Sequence, residues 1–329
     1  MPEIIDATSH IMSHEVLDEL ESIRPTAEID SLRNAPRMFD IDGRLDYLDD
    51  NGIDRQVINL AAPMIWDEVD PDEALEATRV ANNEIRRIAD EHPDRFIATG
   101  TVPFLTGEYV DEARRCVEDL GMCGLQTFSN INGKLLDDDE FEEFYATLDA
   151  LDVPLWIHPA LAEWHDYDTS HTWIYKMLGW PFDTDIALAR LIFSGILDRY
   201  DNIDIVSHHL GGSFPYLVGR VKSWYQTRKE EPELYQNPAM ADLSKPLEAY
   251  FEQIYGDTAV SSQGETYPLR AGYEFFGADN VVYSADYPFG PDKGEYWAKT
   301  IIPAIDELDI PEADKAKIYS GNIKRLLDL

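Results

Sequence analysis

Histidine and aspartate residues follow four short apolar runs of the chain, each at the carboxyl end of its run. His10 follows the first run, His158 the fifth, the pair His208 and His209 the sixth, and Asp286 the eighth. If these runs are parallel strands of one barrel, their ends meet at one face and the side chains converge. Imidazole nitrogens and carboxylate oxygens are ligands that Zn²⁺ and similar ions take in proteins. The pattern therefore predicts a metal site built from several strand ends.

The elements that would position these residues alternate along the chain. Apolar runs predict eight strands, at Glu3–Ala7, Gln56–Ala61, Phe96–Val102, Gly124–Phe128, Pro154–Ile157, Ile203–Ser207, Ile254–Gly256 and Val281–Tyr283. Amphipathic segments such as 72–91, 139–151 and 185–200 have helical periodicity. Eight strand–helix units predict an α/β protein, a single closed (β/α)₈ TIM barrel that spans residues 1–329 as one domain. We expect segments 13–40, 160–183 and 227–243 to be irregular loops at the mouth of the active site.

The chain carries a large excess of acidic residues. Its 329 residues include 64 Asp and Glu against 27 Lys and Arg, so the formal net charge is −37. Such a charge repels phosphate backbones and anionic lipids, and no nucleic-acid or membrane partner is expected. The acidic composition is typical of halophilic proteins. Because the chain has only two cysteines, no visible signal peptide and no apolar run long enough to span a bilayer, we expect a cytoplasmic protein.

Five motifs, in this order along the chain, resemble those of one family. They are Asp6–His10, Ile157–Pro159, His209–Pro215, Ser284–Phe289 and Gly321–Asn322. On these motifs the chain resembles the amidohydrolase superfamily over almost its whole length. The similar branch includes 2-amino-3-carboxymuconate-6-semialdehyde decarboxylase and related aromatic-acid decarboxylases. The resemblance implies a TIM-barrel enzyme that holds a divalent metal ion, with Zn²⁺ favoured and Mn²⁺ as the alternative.

The resemblance implies the metal ligands as well. They are His10, His158 and Asp286 in this chain. Thr8 stands where the family usually has a further metal-binding histidine, and a hydroxyl is a much poorer ligand for Zn²⁺. Three protein ligands plus water form the usual open catalytic zinc site, so we expect the ion to bind, but less tightly.

The adjacent histidines His208 and His209 are expected to differ in role. Neighbouring strand residues point to opposite faces, so only one of the two is expected in the pocket. The resemblance assigns the catalytic role to His209, alongside Asp286. His208 would compensate for Thr8 if it reached the pocket, but the alternation of faces leads us to expect it packed outside. His209 would protonate the carbon that loses CO₂ in a decarboxylase. In a hydrolase or hydratase it would instead deprotonate a water molecule, and a metal-free descendant that binds small acids is a third alternative.

Three arginines and a tryptophan are the expected substrate-binding residues. Arg220 resembles a family arginine that enters the neighbouring subunit's pocket, and Arg33 and Arg37 resemble its partner arginines. Guanidinium groups bind both oxygens of a carboxylate, which fits a small carboxylated substrate. Trp180 is expected to line the pocket for a planar substrate. The position of Arg220 implies a homodimer.

Overall fold

The computed structural model describes residues 2–60, 66, 69–160, 174–233, 240–260 and 264–329. Parallel strands form two sheets in this part of the chain. The strands are β1 (Ile5–Ile11), β2 (Arg55–Leu60), β3 (Phe96–Ala98), β4 (Gly100–Thr101), β5 (Leu125–Phe128), β6 (Asn130–Ile131), β7 (Lys134–Leu135), β8 (Leu155–His158), β9 (Ile205–Ser207), β10 (Ile254–Asp257) and β11 (Val281–Val282). One sheet has the order β1-β2-β3, the other has the order β11-β10-β9-β8-β5-β4, and β6 and β7 pair as an antiparallel hairpin.

Hydrogen bonds and chain continuity join the two sheets into a ring. At one seam the chain runs from β3 into β4 through Thr99. At the other seam the backbone N–H of Ala7 donates to the carbonyl of Tyr283 at 2.8 Å, and that of His10 donates to the carbonyl of Tyr287 at 2.7 Å. Counting β3 and β4 as one position, eight parallel strands surround a common interior. The predicted (β/α)₈ TIM-barrel fold is confirmed.

Apolar side chains fill the interior of the ring. Trp156 on β8 crosses it, because its indole N–H donates to the carbonyl of Ala7 on β1 at 2.9 Å. Val206 and Val282 belong to the same buried cluster, and Ile323 of the carboxyl-terminal helix packs against it. Apolar packing thus closes the lower interior, and the polar side chains occupy the level of the strand ends above it.

Helices surround the ring and lie between its strands in the sequence. They are α1 (His14–Ile23), α2 (Ala27–Arg33), α3 (Ile41–Asn51), α4 (Pro71–Glu91), α5 (Glu108–Glu118), α6 (Glu142–Leu151), α7 (Trp180–Phe193), α8 (Ile196–Arg199), α9 (Phe214–Glu230), α10 (Leu247–Phe251), α11 (Thr266–Phe276), α12 (Glu295–Glu307), α13 (Glu312–Ala316) and α14 (Asn322–Leu326). Among the described residues, none of the helices is both long and apolar enough to cross a membrane.

The segment 13–40 is not the irregular loop that we expected. It folds as α1 and α2, and each helix begins at a capping side chain. Ser13 Oγ accepts a hydrogen bond from the N–H of Val16, and Thr26 Oγ1 accepts one from the N–H of Ile29, both at 3.2 Å. The segments 160–183 and 227–243 lie partly outside the described residues. In their described parts, 175–179 is a turn of π-helix that leads into α7, and α9 extends to Glu230.

Candidate metal centre

A bulge in β1 turns His10 toward the barrel interior. The register with β2 runs from Asp6 opposite Gln56 to Ser9 opposite Ile58, so β1 contains one extra residue over this stretch. Side chains alternate between the two faces of a strand, and one extra residue reverses that alternation. Ala7 belongs to the interior cluster, and the bulge brings His10, three residues later, to the same side.

His158 and His208 lie at the same level of neighbouring strands. Trp156 on β8 is paired with Val206 on β9, and both side chains belong to the interior cluster. His158 and His208 each come two residues after one of these inward-facing side chains. Each histidine side chain therefore also points into the interior of the barrel. The two imidazole rings are 4.9 Å apart between centroids, and that of His10 lies 5.2 Å from His158 and 5.7 Å from His208.

The three imidazoles form a buried group that can hold a metal ion. One nitrogen from each of His10, His158 and His208 lies within 4.8 Å of the others. Nδ1 of His158 is 2.7 Å from the carbonyl oxygen of Pro159, which can only accept, so Nδ1 carries the proton and Nε2 has a free lone pair. Asp286 contacts the group through His10, whose Nε2 lies 3.0 Å from Oδ1 of Asp286.

Unpartnered polar atoms show that the group fits a cation. Both ring nitrogens of His208 are buried without a hydrogen-bond partner among the described residues, and Nε2 of His10 and Oδ1 of Asp286, although 3.0 Å apart, do not meet in hydrogen-bond geometry. Buried polar groups are nearly always paired, because an unpaired one costs about 1–3 kcal/mol. Nitrogen and oxygen lone pairs that meet in this way are the donor set of a divalent metal ion.

Burial sets the protonation of the group. It lowers the pKa of His10 and of His158 to about 3, that of His209 to about 4 and that of His208 well below its usual value. It raises the pKa of Asp286 to about 6. The imidazoles are therefore neutral near pH 7, which is the form that binds metals.

His209 and Asp286 both have left-handed backbone conformations, with φ of 55° and 54°. Strand β9 ends at Ser207, and the chain then turns through four consecutive residues with positive φ, His209–Gly212. As a result the ring of His209 lies 5.9 Å from that of His208 and 6.5 Å from that of His158.

The expectation that His208 packs outside the barrel is wrong. Its ring is fully buried within the imidazole group, and His209 also lies beside that group. The rule of alternating faces applies only while the strand continues, and here the turn begins directly after Ser207. The sequence did carry a signal, since His158 and His208 each follow an apolar residue two positions earlier.

The expected arginines occupy different environments. Nη2 of Arg33 is held by Asp18 at 2.6 Å and by Glu21 at 2.7 Å, on the surface. Nη2 of Arg37 lies 3.1 Å from Glu295. The structure therefore does not bring Arg33 to the imidazole group.

The third arginine, Arg220, is exposed on α9, with its guanidinium carbon 5.9 Å from the ring centre of Trp224. The structure therefore does not bring Arg220 to the imidazole group.

Aromatic side chains border the imidazole group. The Trp180 ring lies 5.7 Å from that of His158, as expected for a pocket residue. Phe289, which the sequence reasoning missed, lies 5.6 Å from His10. It stands three residues after Asp286 in the last motif, and that proximity in the chain was the available signal.

Comparisons with known proteins agree with this geometry. The family model Amidohydro_2, described as amidohydrolase, matches residues 5–329. The chain is 30% identical over 303 residues to 2-amino-3-carboxymuconate-6-semialdehyde decarboxylase of Dictyostelium discoideum, which covers 92% of this chain and 79% of that protein.

Solved structures share the fold. The 5-carboxyvanillate decarboxylase of Sphingomonas paucimobilis has a TM-score of 0.85 at 24% identity, with full coverage of both chains. A dihydroxybenzoic acid decarboxylase from Polaromonas sp. JS666, determined with bound manganese and the inhibitor 2-nitroresorcinol, has a TM-score of 0.78 at 26% identity. That comparison covers 100% of this chain and 98% of the other.

Proposed function

Because this chain belongs to the amidohydrolase family, we propose that it is a metal-dependent decarboxylase, a carbon–carbon lyase, of an aromatic or unsaturated carboxylic acid. The observation that carries the proposal is the buried donor group at the carboxyl ends of the strands, the place where barrel enzymes perform their chemistry. The named relatives with the same fold support decarboxylation as the reaction.

His10, His158 and Asp286 are the proposed metal ligands. A bound divalent ion would supply Lewis acidity toward the oxygens of the substrate. The imidazole-rich donor set favours Zn²⁺. Mn²⁺ is the alternative, since the Polaromonas enzyme was determined with manganese.

His209 is the proposed proton donor. Loss of CO₂ breaks the bond between the carboxylate and the substrate carbon, the electron pair stays on that carbon, and a proton must take the place of the carboxylate. A histidine whose pKa is lowered to about 4 by burial is a strong acid once it carries its proton. Asp286 opposes this lowering without reversing it, so His209, neutral near pH 7, must take up a proton before it can donate one.

Trp180 and Phe289 would bind the planar part of the substrate, since both rings border the imidazole group. Arg37 and Arg220 are the proposed partners of a substrate carboxylate, Arg220 from a neighbouring subunit. Arg33 would have to leave its two ion pairs to take part.

A homodimer is the proposed assembly. Tyr216 and Trp224 lie on α9 with Arg220 and expose 88% and 49% of their surface, an apolar area that a second copy of the chain would cover. We place this single-domain enzyme in the cytoplasm of a halophilic cell, because a net charge of −37 is tolerated best in concentrated salt.

The decisive experiment measures CO₂ release. The purified protein, loaded with Zn²⁺ or with Mn²⁺ in concentrated KCl, is incubated with dihydroxybenzoates, 5-carboxyvanillate and unsaturated amino-carboxylic acids. We expect metal-dependent CO₂ release from at least one of these acids, and release about 10²- to 10⁴-fold slower from the His209→Ala variant. Hydrolysis of amides or lactones with no CO₂ release from any acid would overturn the proposal.

A further inference from the structure

Strand β1 supplies fewer metal ligands than the family pattern implies. Thr8 stands where the resemblance of the Asp6–His10 motif implies a further ligand, and a threonine hydroxyl is a poor ligand for Zn²⁺. His10 is thus left as the imidazole contributed by β1. If the proposed function is correct, the site needs another donor to hold its ion as firmly as a site with the usual set.

The structure offers that donor on β9. We propose that His208 is a metal ligand in this protein, and that it replaces the ligand that Thr8 cannot provide. The site then comprises His10, His158, His208 and Asp286, with one imidazole moved from the first strand to β9. The proposal rests on the proposed function for the presence of the metal ion, but its test does not depend on the reaction.

The position of His208 in the sheet is the first argument. Val206 is paired with Trp156, so His208 and His158 extend from the same level of adjacent strands into the same interior. Tetrahedral bonds of about 2.1 Å to one ion place the bound nitrogens about 3.4 Å apart. The imidazole nitrogens lie within 4.8 Å of one another, so each needs to move toward a common ion by less than about 1 Å.

The unpaired nitrogens of His208 are the second argument. The side chain is fully buried, and neither Nδ1 nor Nε2 has a hydrogen-bond partner among the described residues. A histidine that only packed the interior would destabilise the fold through its two unpaired nitrogens. An apolar side chain of similar size has no such atoms and would fill the same space without that loss of stability. A metal ion bound to one nitrogen removes the loss at that atom.

Asp257 is the third argument, because it is placed to orient His208. Oδ1 of Asp257 accepts the backbone N–H groups of His209 at 2.9 Å and Ala259 at 3.0 Å, which fixes the carboxylate. Its buried Oδ2 lies 3.9 Å from Nδ1 of His208, and the hydroxyl of Thr8 also interacts with this carboxylate. Metal-binding histidines usually donate their second N–H to such a carboxylate, which leaves Nε2 for the ion.

The two neighbouring histidines then have separate tasks. His208 ends the inward row of β9 and reaches the metal, whereas His209 begins the left-handed turn and approaches the same site from beside it. The pair of adjacent imidazoles therefore provides both a ligand and a proton donor, and His209→Ala is a matched control for His208→Ala.

The test measures metal binding directly. Metal-free protein is prepared with a chelator, and Zn²⁺ affinity is measured by competition with a chromogenic chelator and by elemental analysis. The variants are His208→Ala, His208→Gln, Asp257→Asn and His209→Ala, and each is first checked for a cooperative unfolding transition. His208→Gln retains a polar side chain of similar length, so it replaces the alanine variant if that variant does not fold.

We expect the loss of His208 to weaken Zn²⁺ binding by at least about a hundredfold, and Asp257→Asn to weaken it by about tenfold to a hundredfold. His209→Ala should bind Zn²⁺ within about threefold of the parent protein. With Mn²⁺, the electron paramagnetic resonance spectrum of the bound ion should change in the His208 variants and stay the same in His209→Ala.

A folded His208 variant with unchanged Zn²⁺ affinity would overturn the inference, and so would an equal loss of affinity in His209→Ala. Either result is independent of decarboxylation. A protein that binds metal through His208 but releases no CO₂ contradicts only the proposed function.

Discussion

The two residues proposed to act on the reacting atoms both have a strained backbone. His209 and Asp286 have φ of 55° and 54°, a region that costs a residue with a side chain about 1–2 kcal/mol relative to glycine. Such strain is kept where the surrounding structure enforces it and where it serves a function. Here it directs an imidazole and a carboxylate toward the same group of histidines.

Replacement of His209 by alanine and by glycine separates chemistry from strain. Both variants should retain the metal ion and lose turnover by about 10²- to 10⁴-fold, the usual contribution of a positioned proton donor. The glycine variant should have a free energy of unfolding about 1 kcal/mol larger than the alanine variant, because glycine adopts positive φ without strain. Urea unfolding of the metal-loaded proteins measures the difference. Equal stability of the two variants would show that the backbone here carries no strain.

Among single residues, the sequence predicted which side chains come close together better than it predicted their directions. His10, His158 and Asp286 could be found because each follows a strand end within a motif. The inward direction of His208 was missed, because it depends on where β9 ends and on its pairing with β8. Phe289 was missed because its role comes from the fold of its loop around Asp286 rather than from its own position on a strand.

At the scale of elements, the turn after β9 is held tightly against α7. The N–H of Ser213 donates to Oδ1 of Asp185 at 2.9 Å, and the hydroxyl of Ser213 donates to the same carboxylate. Gly212, with φ of 65°, lies so close to Pro181 that a Cβ would overlap the carbonyl oxygen of that residue. The helix thus fixes the turn that carries His209.

Two glycine substitutions test this packing. Gly212 and Gly52 have nearly the same φ, 65° and 66°, but no described atom lies within 4 Å of a Cβ added at Gly52. Gly52→Ala should therefore cost only the left-handed conformation, about 1 kcal/mol. Gly212→Ala should cost about 1–3 kcal/mol more, because the turn must move away from α7, and its turnover should fall as well. Urea unfolding and turnover assays of both variants provide the comparison. Equal losses in the two would mean that contact with α7 does not position the turn.

The elements themselves were largely predictable. Apolar runs located all eight strand positions of the ring, and helical periodicity located α4 and α6. The bulge in β1 was not predictable, since it appears only in the register against β2. Helices α1 and α2 were missed although Ser13 and Thr26 are ordinary capping residues, because the segment was interpreted by its place after a strand rather than by its own capping signals.

At the scale of the whole molecule, the exposed arginine on α9 bears on the proposed homodimer. Arg220 lies between Tyr216 and Trp224 on an exposed helix, away from the imidazole group of its own subunit. A two-fold dimer would let each subunit supply this guanidinium to the other through one self-complementary surface.

Mixing two inactive variants tests the shared site. Arg220→Ala and His209→Ala subunits are exchanged and the activity of the mixture is measured. Random exchange gives half hybrids, each with one pocket that has an intact histidine and an intact arginine from the other subunit, so activity should recover to about a quarter of the parent value. Mass spectrometry of the intact dimers confirms exchange. Proven exchange without recovery would place Arg220 in its own subunit's pocket or in none.

The seam between β1 and the chain that follows β11 has a consequence for biosynthesis. The hydroxyl of Ser284 donates to the carbonyl of Thr8 at 2.8 Å, across 276 residues of sequence, and Tyr283 accepts the N–H of Ala7. Until the ribosome has synthesised this part of the chain, β1 therefore has an open edge, and His10 cannot contact Asp286. The sheet therefore stays unsealed until β11 and the residues after it have emerged, and only then can His10 and Asp286, two of the proposed metal ligands, come together.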